Sequence, residues 1–268
     1  MKTMRKIVIK VGTSTLTEGS QKLSRRTMLG LVQQIAHLQS QSLQVLLVSS
    51  GAIATGRELL SSQKTDQTFL SNQTFASIGQ VKLMQVWSEL FSLLDLQVGQ
   101  VLLTKEDFSE HRRHLTRDTL CSLLLHNIIP IINENDAVAT KDACVGDNDN
   151  LAALVASLID ANTIILLTDQ EGLYSADPRL HTDAKLIPIV EHIDETIFSL
   201  ARGSSTSLGT GGMTTKIEAA QIASRSGIQT IIASSSRPNI LVDLAEGKEI
   251  GTVFLAGSSN QFTKGEIQ

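Results

Sequence analysis

The chain has 268 residues, a formal net charge of −4, a 41% hydrophobic fraction and only 3% aromatics. That is enough apolar material for one large domain, and the acidic balance and scarce aromatics argue against a nucleic-acid partner. No apolar run approaches the roughly 20 residues that cross a bilayer, and the run after Lys6 is too short for a secretory leader. Cys121 and Cys144 form no CxxC pair and are read as reduced thiols of a soluble, cytoplasmic protein.

In chain order, residues 6–11 read as a strand followed by a Gly/Thr/Ser loop, and Ser24 caps a helix running to 39. A strand at 45–48, a helix at 76–94 and strands at 98–103 and 128–132 follow. Then come a helix at 151–159, a strand at 163–167, a helix at 214–225, a strand at 228–233 and an edge strand at 253–255. The stretches 61–68 and 203–212 read as loops. Apolar strands alternating with helices predict βαβ units and a mostly parallel sheet covered on both faces. In such a sheet ligands sit beyond the carboxyl ends of the strands. The residues there are Gly12-Thr13-Ser14, Ser49-Ser50-Gly51, Asn133-Glu134-Asn135-Asp136 and Thr168-Asp169, all small or polar.

Each chemistry-bearing segment has two readings. Lys10 lies within an apolar strand, so it either meets a bound anion or snorkels from a sheet edge. Ser49-Ser50-Gly51 leads into a helix, as an anion-binding N-terminus or as an ordinary cap. The acid and amide sets at 133–136 and 147–150 suit the two ends of an amino acid, and Asp149 alternatively holds a lysine. Helix capping is their plainer reading, and a calcium loop lacks its glycine and terminal glutamate. Thr168 and Asp169 either contact a nucleotide or form a turn. The run Gly209 to Lys216 is an anion site or a flexible linker, without P-loop spacing. His111 and His114 lack a third ligand, and no metal-binding residue is assigned.

In order, IVIKVGTSTLT (7–17), VSSGAIATGR (48–57), INENDAVAT (132–140), VGDNDNLAAL (145–154), LLTDQEGLYSADPR (166–179) and GTGGMTTKIEAA (209–220) resemble the amino acid kinase family. INENDAV with VGDNDNL resembles its glutamate-phosphorylating branch. The resemblance implies an α/β/α three-layer sandwich over 1–268, with an amino-acid lobe at about 1–160 and a nucleotide lobe at 161–268. It implies ATP-dependent phosphorylation of the side-chain carboxylate of L-glutamate, the first step of proline biosynthesis, with Mg²⁺. A related kinase acting on another small carboxylate and a non-catalytic sensor of the same fold are the alternatives.

By the same resemblance Lys10, Lys216 and Asp149 are catalytic, with the lysines flanking the transferring phosphoryl group and Asp149 orienting them. Ser50, Asp136, Asn148 and Asn133 hold glutamate. Lys10, Thr168, Asp169, Thr210, Gly211, Gly212, Met213, Thr214, Thr215 and Lys216 surround ATP. A homo-oligomer, dimer or tetramer, and proline as feedback inhibitor are further implications. Many members carry a C-terminal PUA domain, and this chain reads as a short form without one.

Overall fold

The computed structural model describes residues 5–20, 22–62, 67–139, 144–202 and 212–257. The N-terminal half contains β1 (Lys6–Val11), α1 (Thr13–Thr17), α2 (Arg25–Ser40), β2 (Gln44–Ser49), α3 (Ala52–Ser62), α4 (Asn72–Ser92), β3 (Val98–Leu103), α5 (Arg113–Leu125) and β4 (Ile129–Glu134). After it come α6 (Asn148–Leu158), β5 (Thr163–Thr168), β6 (Ile189–Val190), α7 (Glu195–Arg202), α8 (Met213–Arg225), β7 (Gln229–Ser234), α9 (Ile240–Ala245) and β8 (Thr252–Phe254). Among the described residues the strands form one eight-stranded sheet in the order β3-β4-β2-β1-β5-β7-β8-β6. All neighbours are parallel except β7 and β8. β8 lies between β7 and β6, so the expected edge strand is an interior one; the two-residue β6 that covers it is too short to leave an apolar signature.

Strand alternation sorts the apolar residues into two layers. Ile7, Ile9 and Val11 face α1, α2, α4 and α9, in a core that includes Met28, Ile35, Trp87 and Leu241. Val8, Val48, Ile164 and Leu166 face α5, α6, α7 and α8, with Leu120, Leu151, Val155 and Ile217. Helices on both sides of one mostly parallel sheet make an α/β/α sandwich.

Polar caps explain where the helices begin. The Ser24 side chain accepts the Thr27 N–H, as expected. Ser71 does the same for Thr74 N–H, so α4 starts at Asn72, four residues before its expected start at 76. Asp147 accepts the N–H groups of Asp149 and Asn150, and α6 starts at Asn148 rather than 151. β4 runs on through Asn133 and Glu134, past its expected end at 132. The segment after β1, expected as a loop, winds into α1.

Helices α3 and α4 cross at backbone contact. A Cβ at Gly56 would lie 2.0 Å from the Phe75 carbonyl oxygen, and one at Gly79 would lie 1.8 Å from that of Ala52. This crossing fixes α3, whose N-terminus opens at the strand ends. Gly51, at φ +108°, makes the turn from β2 into that helix.

Candidate active site

The carboxyl ends of β1, β2, β4 and β5 open on a common cavity of about 710 Å³. Its lining includes Lys10, Gly12, Ser50, Asn133, Asp136, Asn148, Thr168, Asp169, Gly212, Met213 and Lys216. The sequence-expected residues from both halves of the chain therefore meet at one place. A larger hollow of about 1080 Å³ adjoins it behind α1 and shares Thr13, Ser14 and Asp169, but neither lysine lines it. Chemistry, not size, picks out the smaller one.

Lys10 sits on β1, paired on both sides by β2 and β5, so the edge-strand reading does not hold. Its side chain follows Val8 toward α6 and α8, where Asp149 occupies the first turn of α6 and Lys216 the first turn of α8. Lys10 Nζ lies 2.7 Å from Asp149 Oδ1, and Lys216 Nζ lies 3.1 Å from Oδ2. Thr215 donates its hydroxyl to the same Oδ2 at 2.9 Å. Lys10 and Lys216 are 6% and 5% exposed, and Asp149 is fully buried. Burial pushes the Asp149 carboxyl up, and the two ammonium groups more than reverse this, holding it at about 2. Burial also lowers the Lys216 ammonium, against the attraction of Asp149. Two cations contact one carboxylate, with Asp147 acting on both from farther off, so their ammonium groups at the cavity wall remain able to attract a bound anion.

The opposite wall is made of amides and carboxylates. Asn148 donates its amide to Ser50 Oγ at 2.8 Å and to Asn133 Oδ1 at 2.9 Å. Ser50 thus engages Asn148 rather than capping α3. Asp136 lines the cavity beside Glu134; burial and that neighbour's negative charge raise its carboxyl to about 6. Glu134, 6% exposed, accepts the Val145 N–H at 2.5 Å and so ties the end of β4 to the segment leading into α6. Burial and the same carboxylate push the Cys144 thiol up to about 11, and both cysteines are free. Sequence reasoning read Glu134 and Asp147 only within the sets at 133–136 and 147–150 and gave neither a role of its own; the half-buried Asp147 takes the plainer reading, as the cap of α6. Glu134 falls within a quoted motif, but only the extension of β4 reveals that it faces the cavity.

On the other side, Thr168 donates to Asp169 Oδ1 at 3.0 Å at the end of β5. Gln170 and Arg179 line the cavity with them. Arg179 is held by Asp177 through Nε at 2.9 Å and Nη2 at 2.6 Å. Gly212 caps α8 without a side-chain bond, which leaves first-turn N–H groups available to an anion. Met213 lines the cavity, Thr214 does not, and Thr215 turns to Asp149. Thr210 and Gly211 lie outside the described residues. Among the described residues no group of three His, Cys, Asp or Glu side chains is placed to hold a metal ion. Nor is any described helix long and apolar enough to cross a membrane.

The chain resembles known proteins. The chain is 53% identical over 256 residues to "Glutamate 5-kinase" of Haemophilus influenzae (strain PittGG), covering 95% of this chain and 70% of that one. It is 53% identical over 255 residues to "Glutamate 5-kinase" of Pasteurella multocida (strain Pm70), with the same coverage. The crystal structure of UMP kinase from Ureaplasma parvum superposes with a TM-score of 0.65 over 94% of this chain and 99% of that one, at 16% identity, which speaks for the fold alone. The sequence model described as "Amino acid kinase family" matches residues 5–234, a span that includes both strand-end walls and the lysines that meet on Asp149. The chain belongs to the amino acid kinase family.

Proposed function

We propose that the protein transfers the γ-phosphoryl group of ATP to the side-chain carboxylate of L-glutamate, the opening reaction of proline synthesis. The observation that carries this reading is the convergence of Lys10 and Lys216 on Asp149 at the rim of the shared cavity. A carboxylate oxygen attacks the γ-phosphorus, the bond to the β–γ bridging oxygen breaks, and ADP and an acyl phosphate form. The attacking carboxylate is already ionised at neutral pH, so no general base is needed. The difficulty is to bring an anion up to a polyanion. The two ammonium groups and the uncapped start of α8 offset that repulsion and align the reactants.

In this reading Asp149 keeps the lysines apart and aimed. Ser50, Asn133, Asp136 and Asn148 hold glutamate, with Asp136 facing its ammonium group. Thr168, Asp169 and the segment from 210 to Lys216 surround ATP. The first 160 residues then serve the amino acid and the remainder the nucleotide. Asp149 spends both oxygens on lysines, and the described residues build no cation cage. Mg²⁺ bound through the phosphates of ATP would relieve their charge there. The reading extends to a cytoplasmic homo-oligomer inhibited by proline.

The test is ATP-dependent hydroxamate formation in the presence of hydroxylamine, which traps an acyl phosphate. Glutamate should give hydroxamate, and aspartate and acetylglutamate should not. Hydroxamate from another acid but not from glutamate would move the substrate assignment. Ligand binding with no ADP release from any acid would make the protein a sensor.

A further inference from the structure

The amide wall has a direction, and the direction is readable. A backbone N–H can only donate. The Glu134 N–H lies 2.9 Å from one side-chain atom of Asn133 and 3.4 Å from one of Asn148, so both atoms are carbonyl oxygens. The remaining atom of each amide is then the NH₂ group. Asn148 donates through it to Asn133 Oδ1 at 2.9 Å and to Ser50 Oγ at 2.8 Å. Asn133 donates through its own NH₂ to Oε1 of Gln80 at 2.9 Å. Gln80 lies on α4, half-buried and outside the cavity lining.

Ser50 stands at the far end of this chain of bonds. Its oxygen already accepts from Asn148, and no described acceptor takes its hydroxyl hydrogen. That hydrogen is therefore left to donate, on a residue that lines the cavity at the start of α3. A donor at a helix start suits a carboxylate and disfavours an ammonium group.

We infer that Gln80 is a positioning residue: as terminal acceptor of the Gln80–Asn133–Asn148–Ser50 chain, it pairs the Asn133 NH₂ in the direction that the Glu134 N–H sets, and so helps hold Ser50 as a donor to a carboxylate of the bound amino acid. This rests on the proposed glutamate reading and adds to it a residue that touches no ligand. Without an acceptor at position 80, the Asn133 NH₂ is left unpaired in a buried place, and the bond chain that holds Asn148 and Ser50 in position loosens.

The test compares Gln80→Met, which keeps the length and removes the acceptor, with Gln80→Glu, which keeps the acceptor. Gln80→Met should raise the KM for glutamate by about tenfold, the scale of one buried hydrogen bond, with kcat and the KM for ATP nearly unchanged. Gln80→Glu should restore the KM to within about threefold of the unmodified protein. On a Ser50→Ala background Gln80→Met should add little, because the two changes act through one bond chain. Equal KM values in both Gln80 variants, a loss confined to kcat, or full additivity with Ser50→Ala would each overturn the relay while leaving the glutamate reading intact. If the unmodified protein forms no glutamate-dependent hydroxamate, the glutamate reading fails first, and the relay with it.

Discussion

Lys10 Nζ stands 2.7 Å from Asp149 Oδ1, an ion pair that joins an interior strand of the sheet to the first turn of α6. Neither residue could be kept charged in this place alone. The second oxygen of Asp149 serves Lys216, so a single carboxylate sets the spacing of both ammonium groups.

The first prediction concerns those amines. Lys10→Ala or Lys216→Ala should lower kcat by on the order of a hundredfold or more, as expected for loss of one charge that stabilises the transferring group. Circular dichroism should show a folded protein in each case. Near-normal turnover in a folded variant would take that lysine out of the mechanism.

Asp149→Ala should do more harm to stability than either lysine variant, since it strands two buried cations. Removing one partner from a buried ion pair costs about 3–5 kcal/mol, which a urea titration would register as a large drop in midpoint. The pH dependence has a definite sign. The folded carboxyl sits at about 2, below its ordinary 3.8, so its contribution is whole above that ordinary value. It fades as the pH falls from there through about 2. Asp149→Asn should flatten that part of the acid-unfolding curve.

Asp136 titrates the other way. Its carboxyl is raised to about 6, so it takes up a proton as the pH falls through 6 and loses its attraction for an ammonium group. The facing groups are Glu134 and Cys144, whose nearby thiol is itself raised by Glu134. kcat/KM for glutamate should decline on the acid side of about pH 6, and Asp136→Asn should remove that limb while weakening binding at neutral pH. An unchanged profile in the variant would assign the limb elsewhere.

Gly79→Ala tests the helix crossing. The added methyl would meet the Ala52 carbonyl at 1.8 Å, and backbone cannot yield as a side chain can. α3 would be pushed away and the Ser50–Gly51 turn with it. A loss of stability of about 1–3 kcal/mol is the scale for overpacking, accompanied by a higher KM for glutamate. Thermal melting and steady-state kinetics on the same sample would report both.

Much of the layered arrangement was legible because strands such as β5 are buried on both faces and therefore uniformly apolar. The Ser24 cap was legible for a similarly local reason. Elements with thin signatures were not. α5 buries Thr116, Leu120 and Leu124, but its exposed Leu115 and Leu125 blur that stripe, and α9 has six residues. The strand order, which puts β8 inside the sheet, depends on contacts between distant segments that no local pattern carries. At the site, charged and amide residue types pointed to the strand ends that open on the shared cavity. What they could not give was orientation: Asn148 and Asp149 precede the apolar run of α6, and Gln80 lies on a helix remote from every quoted motif.

The sheet keeps its two apolar layers out of touch with each other. Residues such as Ile35 and Trp87 belong to one, and Val155 and Ile217 to the other. Each layer is thus free to drift through compensating substitutions without retuning its opposite. Only at the strand ends must both agree, because α3 belongs to one layer and α6 and α8 to the other. Lineages descended from this protein should therefore vary independently above and below the sheet, and be held in common along that one rim.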